Sequence, residues 1–162
     1  MSESLPSVDG IDNDGRGVTI RVASDEDVDD IAEVFARELG RPPDKQRIQK
    51  LMTEFPAAVA ENGEEIVGFV YTTDFAPDIL ELANIVVKRG WRNRGLGHRL
   101  IELVESAAQS QFEAVILVNS MLYPIVGDKW PATRFYEAQG YEILFETSES
   151  RMFMKRLTRE SE

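Results

Sequence analysis

Apolar positions recur along the chain with two different periods, and the period separates strands from helices. Val18 to Ala23 alternates apolar and polar residues and predicts a first strand. Ser24-Asp25-Glu26-Asp27 has the form of a capping box, with Ser24 at the N-cap and Asp27 three residues on. Val28, Ile31, Ala32, Phe35 and Leu39 follow at helical spacing on one face, and Gly40 with Pro42-Pro43 stops that helix. A second helix is expected over Asp44 to Glu54, turning Ile48, Leu51 and Met52 inward before Pro56. Ala57–Glu61 and Glu65–Thr73 read as a hairpin joined through Asn62-Gly63. Ile79–Lys88 is a further strand, most apolar at Ile85-Val86-Val87. Gly95–Ser110 places Leu96, Leu100, Leu103, Val104, Ala107 and Ala108 at helical spacing. Ala114–Val118 is continuously apolar and predicts a buried central strand. A short helix over Ala132–Gln139, closed by Gly140, leads to a final hairpin of Tyr141–Thr147 and Arg151–Leu157.

This order predicts one mixed α/β sheet layer carrying helices, a single domain over 18–157. Residues 1–17 are polar, Gly/Asp-rich and aperiodic and read as a flexible tail, with a short second tail at 158–162. The 162 residues suit one domain. No apolar run approaches the ~18 residues of a spanning helix. The polar start MSESLPSVDG lacks the features of a signal peptide, so a cytoplasmic location is expected.

Charge and rare residues narrow the chemistry. Eighteen Lys and Arg against 29 Asp and Glu leave a net charge of -11. That balance argues against nucleic acid and against an anionic membrane surface as partners, since both need a basic face. Without cysteine there is no thiol nucleophile, disulfide or thiolate metal site, and one histidine removes multi-histidine metal sites. No metal is expected. Only five of the 18 basic residues are lysine. Acidity with little lysine resembles proteins of salt-loving organisms, in which salt screens the self-repulsion; an ordinary solvated surface is the plain alternative.

The most informative stretch is Ile85-Val86-Val87-Lys88-Arg89-Gly90-Trp91-Arg92-Asn93-Arg94-Gly95-Leu96-Gly97-His98. A buried strand passes through an Arg/Gly turn into a long amphipathic helix. The first amides of a helix lack internal partners, and with the helix dipole they make an anion site. Glycines let a ligand approach the backbone, and Arg92 and Arg94 add charge beside it, so a phosphate or pyrophosphate is the natural guest. Gly95-Leu96-Gly97 lacks the third glycine of a dinucleotide fingerprint. Gly90 and Gly95 have Walker A spacing, but Leu96 and Gly97 stand where Lys and Ser/Thr must be, so nucleotide hydrolysis has no machinery. A glycine turn with ordinary surface arginines is the plain alternative.

Val87 to Gly97 resembles the acyl-CoA-binding motif of the GNAT (Gcn5-related) N-acetyltransferase superfamily, a Gln/Arg-x-x-Gly-x-Gly/Ala loop after the fourth strand. Ala132-Thr133-Arg134-Phe135-Tyr136-Glu137-Ala138-Gln139-Gly140-Tyr141 is similar to the family's late helix. The element order over Val18–Leu157 fits as well. The resemblance implies the GNAT acyltransferase fold, a mixed, mostly antiparallel sheet of six to seven strands flanked by about four helices. It also implies acetyl-CoA as co-substrate, with its pyrophosphate on the backbone of Arg92, Asn93, Arg94, Gly95, Leu96, Gly97 and His98. His98 supplies only its amide. The pantetheine arm pairs with Ile85, Val86 and Val87, in a slot between that strand and Ala114–Val118. An N–H there, Val87's by preference, polarises the thioester carbonyl.

Two proton movements follow from the same resemblance. Tyr136 matches the tyrosine that protonates the departing thiolate, and its plain alternative is a core aromatic beside Phe135. Glu81, on the strand before the loop, is the best-placed carboxylate for the base, or else a solvated strand residue; water chains serve in several family members. Asn119 is expected at the arm, although the long loop before Ala132 departs from the family pattern. Tyr123 and Trp130 of that loop either wall the acceptor pocket or pack on the sheet. Asp74 and Asp78 are candidates for attracting a cationic amine, or plain loop residues. The implied activity is acetyl transfer to an amine-bearing small molecule or protein, with a homodimer left open. The competing readings are a non-catalytic acyl-CoA-binding or sensing module and an interaction domain with a vestigial pocket.

Overall fold

The computed structural model describes residues 17–120 and 132–158. Seven strands form one mixed sheet: β1 (Thr19–Val22), β2 (Ala57–Asn62), β3 (Glu65–Ala76), β4 (Ile79–Val87), β5 (Ala114–Ser120), β6 (Glu142–Glu146) and β7 (Ser150–Arg156). Their order is β1-β2-β3-β4-β5-β7-β6. Among the described residues four α-helices accompany them: α1 (Val28–Leu39), α2 (Lys45–Glu54), α3 (Leu96–Ala108) and α4 (Ala132–Ala138). A mixed seven-stranded sheet with four helices is the architecture that the resemblance implies. Among the described residues no helix is long and apolar enough to cross a membrane.

The chain divides into two compact units, and β4 contributes to both. The first contains β1, β2, β3 to Thr73, the end of β4 from Ala83, helices α1 and α2, and α3 to Ala107. Its core gathers Ile31, Val34 and Phe35 of α1 with Ile48 and Leu51 of α2 against Val59, Phe69 and Val86. Each such side chain contributes about 1.5–3 kcal/mol by leaving water. Helical spacing assigned Leu39 to the buried face, but Leu39 is exposed and Val34 takes that place. The helix ends at once on Gly40, left-handed at φ 74° with its N–H on the Ala36 carbonyl, so the last turn projects past the core.

The entry to α1 is pinned by one carboxylate. Asp27 accepts the Ser24 N–H at 2.8 Å and both Arg21 Nη atoms at 2.9 Å each, while Arg21 Nε reaches Glu61 at 2.9 Å. Burial pushes the Asp27 carboxyl up, but Arg21 and the Ser24 N–H outweigh it, and the group sits below its ordinary value. A lowered folded pKa contributes stability above the unfolded value of ~3.9, lost as pH falls through the folded one. Asp27→Asn should therefore be about 1–2 kcal/mol less stable near pH 7, with the gap closing near pH 2 in urea unfolding.

The β2–β3 turn falls one residue later than Asn62-Gly63, on Gly63-Glu64, with Gly63 at φ 65°. The β2–β3 register then slips, Ala60 facing Gly68 and Glu61 facing Ile66. Gly68 lies against the end of β4, where a Cβ would sit 3.1 Å from the Val86 carbonyl oxygen. No larger residue fits without moving the strand that leads into the glycine turn.

The second unit holds Asp74–Leu82 and the chain from Ala108 onward. Here β4 pairs parallel with β5 (Ile79 with Ala114, Glu81 with Ile116), and β5 pairs antiparallel with β7 from Ala114–Arg156 to Ser120–Ser150. Leu80, Val115 and Phe153 are fully buried. The expectation of a strand buried throughout Ala114–Val118 fails at its end, since Val118 is 49% exposed. Arg151 ties β7 to Thr133 of α4, and Lys155 donates to the Gln139 carbonyl at 2.8 Å.

Candidate functional site

The glycine turn lies in the first unit. After Val87 the chain makes a 3-10 turn over Arg89–Trp91, then runs to α3. Asn93 stands at φ 65° and Gly95 at φ 80°, two left-handed residues flanking Arg94. The Gly95 carbonyl accepts the Arg99 N–H at 3.1 Å, so Gly95 closes the first turn of α3. The amides that open a helix point out of its first turn, here those of Leu96 and Gly97, and the helix dipole stands behind them. Left-handed residues beside such amides form an anion-binding concavity. A diphosphate suits this donor set. Asn93's conformation was not legible in the sequence, since only glycine announces a positive φ dependably.

The two turn arginines are already engaged. Arg92 Nη2 pairs with Glu38 Oε1 at 2.9 Å, and Arg92 Nε donates to the Val87 carbonyl at 2.8 Å. Glu38 Oε2 also accepts the Arg89 N–H at 3.4 Å. The side chains are 17% exposed for Arg92 and 9% for Glu38, a largely buried pair. Arg92, paired with Glu38 and bonded to the Val87 carbonyl, fixes the turn. Arg94 lies over the Trp91 ring, 4.7 Å from the centroid. The His98 side chain turns along α3 to Glu102 at 3.2 Å.

Glu81, Asn119 and Tyr136 fall in the second unit. Glu81 is half-buried opposite Ile116, and Asn119 is half-buried opposite Arg151. Tyr136, half-buried on α4, packs among three rings: Phe135 at 5.1 Å, Phe153 at 5.2 Å and Tyr141 at 6.2 Å between centroids. Loss of water in that setting pushes its phenol up to about 12. Asp74 and Asp78 are both exposed. Asp78 immediately precedes β4. Tyr123 and Trp130, and the tail residues before 17 and after 158, lie outside the described residues.

The profile of the acetyltransferase (GNAT) domain family matches residues 54–143. Among solved structures, Ard1 from Thermoplasma volcanium is 20% identical with a TM-score of 0.73, over 88% of this chain and 99% of that one. The PaiA N-acetyltransferase from Thermoplasma acidophilum, solved with coenzyme A, is 16% identical with a TM-score of 0.70, over 86% and 99%. An aminoglycoside 6′-N-acetyltransferase, also solved with coenzyme A, is 19% identical with a TM-score of 0.72, over 86% and 97%. At these identities the likeness is one of fold. No curated protein matches the chain.

Proposed function

Because the chain belongs to the GNAT acetyltransferase superfamily, we propose that it moves an acetyl group from acetyl-CoA directly onto a primary amine of a small molecule or protein. Acetyl-CoA supplies an activated thioester. The backbone of Arg92–His98 holds its pyrophosphate, and the observation that carries this reading is the first turn of α3 closed by Gly95, with Asn93 and Gly95 both left-handed before it. The main chain of Ile85–Val87 aligns the pantetheine arm, the Val87 N–H polarises the carbonyl, and Asn119 touches the arm. An amine acceptor agrees with the aminoglycoside 6′-N-acetyltransferase among the structural relatives.

An amine of pKa ~10.4 must lose a proton before it attacks, and Glu81 is its carboxylate sink. Tyr136 serves the sulfur side. Calorimetry of the full chain with coenzyme A, at low and high ionic strength, tests the turn. A one-to-one heat is expected, and none at either salt refutes the reading. Free-thiol release with a panel of amines then separates an enzyme from a module that only binds the coenzyme.

A further inference from the structure

The second unit leaves an apolar face open. Phe75 is 57% exposed, Leu144 51% and Phe145 53%. Together with Ile79, Ile116 and Met154 they line a groove of about 510 Å³. A register shift in the edge strand builds this face: Ile143 faces Phe153 and Phe145 faces Met152, which leaves Leu144 as the extra residue. Strict alternation would send Leu144 and Phe145 to opposite sides of the sheet. The bulge turns both into the groove, and bulges re-aim side chains in this way.

The groove also carries charge of both signs. Asp78, Glu113 and Arg156 line it, and all three are exposed. They gather at one end: Ile79 and Arg156 each pair with Ala114, while Asp78 and Glu113 immediately precede that row. The Glu113 N–H donates to the Asp78 carbonyl at 2.8 Å, so the two acids are neighbours.

We propose that this groove is the interface of a homodimer, in which a second copy docks face to face about a two-fold axis near Ala114. A partner must cover apolar side chains, offer a cation to Asp78 and Glu113, and offer a carboxylate to Arg156. The same patch, rotated by a two-fold, supplies all three. A basic peptide leaves Arg156 unmatched, and an acidic one meets Asp78 and Glu113. Pairing through the β6 edge is disfavoured. An antiparallel two-fold centred on Leu144 sets Glu142 against the partner's Glu146, and like charges directly opposed repel.

Two copies carrying -11 each repel through water. The screening length falls from ~10 Å at 0.1 M salt to ~3 Å at 1 M. Apolar contact supplies the affinity and the ion pairs supply the register, so association strengthens as salt rises. Sedimentation equilibrium on the full chain tests this in dilute and in molar KCl. The dimer constant should tighten at least tenfold in the molar salt. Phe145→Glu, at an exposed position, should weaken it at least 100-fold with an unchanged circular dichroism spectrum. Arg156→Glu should weaken it as well, and adding Asp78→Lys and Glu113→Lys to that variant should restore most of the loss. A monomer at both salts, a dimer indifferent to Phe145→Glu, or a charge swap without restoration each overturns the proposal.

Discussion

Replacing Tyr136 by phenylalanine should lower kcat for acetyl transfer by about 100-fold while moving the KM for acetyl-CoA little. Phenylalanine keeps the ring contacts to Phe135, Tyr141 and Phe153 and removes only the hydroxyl. The phenol's position near 12 decides how it acts. Against a thiol of ordinary pKa ~8.5, full proton transfer is uphill by about 5 kcal/mol. A hydrogen bond to sulfur as charge develops is therefore the larger contribution, with the proton following. Being neutral throughout the working range, Tyr136 should impose no alkaline limit on kcat below about pH 11. Its folded pKa is raised, so the associated stability is complete below ~10 and falls between ~10 and ~12. Urea unfolding should show wild type losing roughly 2–3 kcal/mol over that interval relative to Tyr136→Phe. A variant with wild-type kcat removes Tyr136 from the chemistry.

Glu38→Ala should cost about 3 kcal/mol of stability, roughly 10 °C in Tm, and weaken coenzyme A binding together with it. The largely buried Arg92 then loses the Glu38 carboxylate while keeping its bond to the Val87 carbonyl, and removing one partner of a buried pair costs more than the pair gains. The Arg89 N–H also loses its acceptor. Glu38→Gln keeps the shape and one acceptor and should fall between. Because the pair is shielded from solvent, most of the difference should survive in molar salt. A loss under 1 kcal/mol means that the pair is effectively solvated.

How far these features could be read in advance follows the range of the interaction behind them. The strand, turn and helix around Gly95 are fixed by neighbours in sequence, and their period and glycines announce them. The capping box at Ser24 and Asp27 is local and equally plain. Glu38 and Arg92 lie 54 positions apart, and nothing in either neighbourhood marks them as a pair. The close approach of Gly68 to Val86 depends likewise on two strands meeting. The hairpin of β6 and β7 was legible, but the bulge at Leu144 was not, because alternation assumes an unbroken register. Burial was overestimated at Leu39 and Val118, where an apolar residue continues a pattern beyond the neighbour that would cover it.

The stacking of Arg94 on Trp91 gives the turn a built-in optical reporter. The chain has two tryptophans, Trp91 and Trp130. A Trp130→Phe variant emits from one indole alone, and a cation lies 4.7 Å from that ring's centre. An anion arriving at the first turn of α3 competes for the same guanidinium and alters the field at the indole. Ligand occupancy can thus be titrated by intrinsic fluorescence without attaching a dye.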